Sequence, residues 1–110
     1  MPHVSKKYKG DHVADSVYVE VITSPNCVHS PRALRIAKNI AKKRKNIVLM
    51  EVSIATNEGM ERAKEFDVAA TPTIAVNGRV AFVGVPSPEQ LESIISEEIR
   101  KEKERTSYFF

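Results

Sequence analysis

Apolar residues fall in short runs along this chain, separated by polar, turn-forming segments, and the spacing inside each run predicts an element. Val17-Tyr18-Val19-Glu20-Val21-Ile22-Thr23 is rich in β-branched residues and lacks a sharp polar face, as expected of a strand covered on both sides. From Arg32 the apolar positions Ala33, Leu34, Ile36, Ala37, Ile40 and Ala41 recur at helical spacing, with Arg35, Lys38, Lys42 and Lys43 opposite them. That helix is predicted to end around Lys45-Asn46. Ile47 to Val52 reads as a second strand, parallel to the first because one helix joins them in a right-handed crossover. Thr56 or Asn57 caps a short helix carrying Met60, Ala63, Lys64 and Phe66, which yields near Asp67-Val68. Thr71-Pro72-Thr73 leads into a third strand. Asn77-Gly78 then joins it to an antiparallel fourth, Arg79 to Val83, through a type I′ turn that needs two left-handed residues. Ser87-Pro88-Glu89-Gln90 opens the last helix with an N-cap serine, a proline at the first helical position and a capping-box glutamine; Leu91, Ile94, Ile95 and Ile99 form its apolar stripe.

A chain of 110 residues fits one domain. Residues 1–15 are polar with little periodicity and read as an arm, 16–103 as the domain, and 104–110 as a tail whose aromatic end, Tyr108-Phe109-Phe110, is expected to fray. The net charge of +3 is densest at Lys42-Lys43-Arg44-Lys45, where cations complement a helix C-terminus; nucleic-acid binding is not expected. The first residues lack the apolar core of a signal peptide and no run is long enough to span a membrane, so the expected setting is cytoplasmic. One cysteine excludes an internal disulfide framework. His3, His12 and His29 are too scattered for a structural zinc site, and no metal is expected.

That one cysteine, Cys27, opens Cys27-Val28-His29-Ser30-Pro31 between the first strand and the first helix. A lone cysteine is often an inert small hydrophobe in a core. Here Ser24, Pro25, Asn26 and Ser30 make a poor core lining, and helix N-terminal amides favour thiolate, the nucleophilic form. Ser30-Pro31 repeats the Ser87-Pro88 arrangement, so Ser30 is expected to cap the helix. A protonated His29 turned toward the sulfur would add positive charge; a solvated loop histidine is the commoner case.

The order β-α-β-α-β-β-α, with a cysteine after the first strand and a proline at the start of the third, resembles the thioredoxin fold. It is an α/β architecture with a mixed four-stranded sheet flanked by helices. The resemblance rests on Ser24 to Pro31, on Val68-Ala69-Ala70-Thr71-Pro72-Thr73-Ile74 and on Val76-Asn77-Gly78-Arg79-Val80 running to Gly84, within residues 17–100. The compact spacing is similar to that of the small glutaredoxin-like thioredoxins of archaea and bacteria. The resemblance implies a thiol–disulfide oxidoreductase acting on protein or small-molecule disulfides, as a monomer or weak dimer. Cys27 matches the attacking cysteine of the family's Cys-x-x-Cys motif, and Ser30 stands where the resolving cysteine would be. The implied mechanism is monothiol, with an external thiol such as glutathione as possible co-substrate and no other cofactor. Pro72 matches the cis-proline and Thr71 the residue whose main chain pairs with an extended substrate; Asn26, Val28 and His29 flank the sulfur on the other side. Asn26 replaces the family's common tryptophan. Glu20 is offset by about one residue from the family's buried carboxylate, and that role is not carried over. Gly84-Val85-Pro86-Ser87-Pro88 departs from the glycine-aspartate pattern of glutathione binders. The alternative is a redox-inactive peptide- or protein-binding module. An iron–sulfur carrier would need a Cys-Gly-Phe-Ser motif that the chain lacks.

Overall fold

A computed structural model of the chain describes residues 16–108, with side chains through residue 104. The expected N-terminal arm and the ends Phe109 and Phe110 lie outside the described residues. The elements run β1 (Val17–Thr23), α1 (Ser30–Lys43), β2 (Ile47–Ser53), α2 (Asn57–Glu65), β3 (Thr73–Val76), β4 (Arg79–Val83) and α3 (Pro88–Tyr108). The four strands form one sheet in the order β2-β1-β3-β4, with β1 parallel to β2 and antiparallel to β3. No helix among the described residues is long and apolar enough to cross a membrane.

Every residue of β1 is buried, because helices cover both faces of the sheet. Val17, Val19 and Val21 point to one side and pack with Ala33, Ala37 and Ile40 of α1, Ile74 and Val76 of β3, and Leu91 and Ile95 of α3. Ile22 points the other way, into a smaller cluster with Val52, Ala63 and Ala75 beneath α2. This alternation is the pleat of the strand, and burying each large aliphatic side chain contributes about 2 kcal/mol.

Glu20 shares the α2 face with Ile22 and is fully buried. Its carboxylate accepts two bonds from Arg62 of α2, from Nε at 2.7 Å and from Nη2 at 2.9 Å, while Arg62 Nη1 reaches Glu65 at 2.7 Å. The guanidinium also lies 4.4 Å from the Phe66 ring centroid. A buried carboxylate without such a partner would carry a desolvation penalty of several kcal/mol, which the bidentate geometry offsets. The pair therefore clamps α2 to β1.

The turns follow the predicted chemistry. Asn77 and Gly78 have φ of 50° and 82°, the left-handed conformations a type I′ hairpin needs. Asn77 also ties three elements together: its Oδ1 accepts from the Tyr18 amide at 2.8 Å and its Nδ2 donates to Glu98 of α3 at 3.0 Å. Thr56 caps α2 by accepting from the Gly59 amide. Ser87 and Gln90 close a reciprocal capping box at α3.

Two helix boundaries differ from the sequence expectation. α1 spans Ser30 to Lys43, starting two residues before Arg32 and stopping ahead of Lys45. Asn46, with φ of 69°, turns the chain back so that its carbonyl accepts the Val17 amide at 2.8 Å. α3 continues to Tyr108, well past Ile99 where its apolar stripe ends. Its extension is supported by Arg100, which pairs with Glu97 and Glu104 one turn away on either side.

The buried pair yields a stability prediction. Glu20→Gln removes the buried carboxylate from Arg62, leaving only the less buried Glu65 as counter-ion, and is expected to lower unfolding stability by about 3 kcal/mol. Glu20→Met combined with Arg62→Leu, which removes both charges, is expected to recover most of that loss. Urea midpoints of the two variants check this; equal losses would show that packing, not charge pairing, holds α2.

Candidate active site

The end of β1 determines where the thiol stands. Past Thr23 the chain makes two overlapping turns, closed by the Cys27 amide donating to the Ser24 carbonyl at 3.1 Å and the Ser30 amide to the Cys27 carbonyl at 3.3 Å. The second turn already has helical geometry: His29 occupies the cap position with φ −93° and ψ −14° and makes no side-chain cap bond. Ser30 is therefore the first residue of the helix, not its N-cap, which corrects the expectation from Ser30-Pro31. A capping serine needs extended backbone at its own position, and the Cys27 turn has removed it.

The buried Ser30 hydroxyl is used differently. Its oxygen accepts the Ser24 amide at 3.2 Å, which leaves its hydrogen free for the neighbouring sulfur. Cys27 Sγ, in the thiol form, donates to the Thr71 carbonyl at 3.1 Å. Loss of the proton is nevertheless favoured, and the thiol pKa falls from 9.0 to about 7. The Ser30 hydroxyl bond to the sulfur is the largest cause, followed by that from the Thr71 side chain; the backbone amides of His29 and Ser30 add to it and partial desolvation opposes it. The shift brings thiolate formation from the alkaline range toward neutral pH.

Thr71 reaches the sulfur through a loop fixed at both ends. The Thr71–Pro72 peptide is cis, Pro72 is buried, and its carbonyl accepts the Gly84 amide at 2.7 Å. Thr73 Oγ1 donates to the Ala70 carbonyl at 2.7 Å. Cys27, Ser30, Thr71 and Pro72 are thereby brought together. Asn26 and His29 are exposed beside them and Val28 is 83% exposed, an apolar side chain left in solvent. The His29 ring forms no hydrogen bond with the sulfur; the residue contributes its backbone amide.

A cavity of about 260 Å³ opens beside the sulfur, between the start of α1 and the end of β2. Pro31, Leu34, Ser53 and Glu51 line it with Cys27 and Ser30, and Thr23 Oγ1 orients Glu51 through a 3.0 Å bond. Glu51 was not legible as a site residue, because it lies next to the motif only after β1 and β2 pair in parallel register; Ser24 was read as part of the motif, but the bond from its amide to Ser30 was not.

Residues 17–96 match the family model described as a thioredoxin domain. The chain is 36% identical over 83 residues to the thioredoxin of Methanocaldococcus jannaschii, covering 76% of this chain and 96% of that protein. It is 37% identical, with the same coverage, to the probable thioredoxin of Methanothermobacter thermautotrophicus. The solved structure of mitochondrial thioredoxin 3 from Saccharomyces cerevisiae in its oxidised form superposes with a TM-score of 0.67 at 17% identity, covering 87% of this chain and 88% of that one. The chain belongs to the thioredoxin family. Its function is thiol–disulfide oxidoreduction, and the expected α/β class, with its mixed sheet and flanking helices, stands.

Ser30→Ala removes the strongest cause of the lowered thiol pKa. Alkylation of Cys27 by iodoacetamide is expected to reach half its maximal rate near pH 7 in the wild type and roughly one pH unit higher in the variant. A higher pKa leaves less thiolate, so the rate at pH 7 should fall about fivefold. Superimposable pH profiles would remove the Ser30 hydroxyl from the explanation.

Proposed function

We propose that this protein is a monothiol oxidoreductase in which Cys27 is the nucleophile and an external thiol completes the cycle. The observation that carries the reading is Ser30: the position facing the sulfur holds a hydroxyl that stabilises thiolate and offers no second thiol. Cys27 thiolate attacks one sulfur of a client disulfide, forming a mixed disulfide and expelling the other sulfur as thiolate. In an enzyme with two cysteines the second would attack next. A neutral serine hydroxyl does not, so the Cys27 mixed disulfide persists until an external thiolate attacks it and is oxidised in turn. Glutathione is the candidate co-substrate, in a reducing cytoplasm.

The client lies along the Thr71-Pro72 loop, using Thr71 main-chain groups, with Val28, Asn26 and His29 on the opposite side of the sulfur. Both protein and small-molecule disulfides fit so open a site. Ser24 and Ser30 act as positioning residues for Cys27. No step depends on a metal ion.

Incubation with a disulfide peptide is expected to give a Cys27 mixed disulfide, visible by mass, that is stable without added thiol and clears with millimolar glutathione. Ser30→Cys supplies an internal thiol and should shorten that lifetime at least about a hundredfold, because an intramolecular thiol has a high effective concentration. Partner capture that survives Cys27→Ala would instead favour the binding-module reading.

A further inference from the structure

Helix α1 carries Arg32, Arg35, Lys38, Lys42 and Lys43 and no acidic residue. All five are exposed, and none pairs with a carboxylate among the described residues. Elsewhere the pattern is mixed: Arg62, Arg79, Arg100 and Lys101 are each matched to glutamates, whereas Lys45 and Lys64 are exposed single cations. Lys42 and Lys43 lie in the last turn, where the helix dipole favours cations. Arg32 and Arg35 lie in the first two turns, where the dipole disfavours them and first-turn acids would be the stable choice. Helix stability therefore does not account for their charge.

Their position gives the charge a use. Arg32 follows Ser30 and Pro31, so the cationic face starts at the turn that holds the sulfur and extends along α1 for about 15 Å from Arg32 to Lys42. Exposed Val28 adds an apolar contact at its near end. Glu51 lines the cavity on the β2 side of the sulfur, so the positive face belongs to the α1 side. α1 bears no aromatic residue on which a base could stack, and nothing in a nucleic acid calls for a neighbouring thiol.

The geometry points to the outer face of α1 as a docking surface for an acidic polypeptide segment that flanks the client's disulfide. This assignment rests on the thiol–disulfide reading and names the client class: proteins with aspartate or glutamate close in sequence or space to the reactive cystine. Arg32 and Arg35 select and steer the client; the bond exchange at Cys27 is unchanged.

The test uses three thiopyridyl-disulfide peptides of equal length, flanked by aspartates, serines or lysines, and follows release of pyridinethione on reaction with the full chain. The aspartate peptide is expected to react about tenfold or more faster than the lysine peptide at low ionic strength, the ratio collapsing toward unity in high salt. In Arg32→Gln with Arg35→Gln, the ratio should fall severalfold at low salt while the serine peptide still reacts. Comparing ratios cancels any change in the Cys27 thiolate fraction. Equal rates for all three peptides, or a preference that survives the double variant, would overturn the docking surface while leaving the oxidoreductase reading intact. Failure of all three to react would overturn both. Arginine-dependent binding of a single-stranded oligonucleotide, with no discrimination among the peptides, would assign the face to nucleic acid and refute the proposal.

Discussion

Val17 to Thr23 exchange hydrogen bonds with β2 along one edge and β3 along the other, and bury both faces under helices. A strand so confined cannot slide, because a shift of one residue would carry Glu20 away from Arg62 and drive the valines of the α1 face under α2. The start of β1 is set by Asn46 and Asn77, whose polar groups satisfy the Val17 and Tyr18 amides. Its end delivers Thr23 to the rim of the cavity and Ser24 to the turn beneath the sulfur. The position of Cys27 is thus a consequence of strand packing several residues away.

The site shows how a redox motif is altered without losing its field. Ser30 lies where its oxygen takes the Ser24 amide and its proton serves the sulfur, so thiolate stabilisation is built from one backbone donor relayed through one hydroxyl. The amides of the Cys27 turn add to this, and the Thr71 loop closes the opposite side. What a serine cannot provide is a second electron pair of thiolate reactivity. On the proposed monothiol reading, activation and resolution, joined in a two-cysteine motif, are separated here, and the same residue supports one and excludes the other. Two arginines placed against the dipole of α1 extend positive potential outward from this centre.

Much of this architecture was legible because its determinants are local. The valine-rich run, the helical spacing from Ala33 to Ala41, Asn77-Gly78 and the Ser87–Gln90 box each encode their element within a few residues, and each formed as expected. Ser30 was misread for a local reason as well. Ser-Pro does begin helices, but the Cys27 turn had already placed this serine inside one. The irregularity between Ile74 and Ala75 in the β3–β4 pairing left no trace in the hydropathy pattern. Gly59 was not singled out in the sequence; a Cβ there would fall 1.7 Å from the Ser53 carbonyl oxygen, so glycine is what lets α2 begin against the end of β2.

The sequence alone determined the elements, their order, the single thiol between β1 and α1 and the absence of a second one, since periodicity, turn chemistry and residue type act over short range. Tertiary structure decided which groups meet. Glu20 and Arg62 are 42 residues apart and Cys27 and Thr71 are 44 apart; their partnerships exist only once β1 pairs with β2 and β3. The polarity of the site belongs to the same class. The Ser30 hydroxyl accepts from the Ser24 amide and keeps its own hydrogen for the sulfur, and the chain's path through space brings those two partners to it.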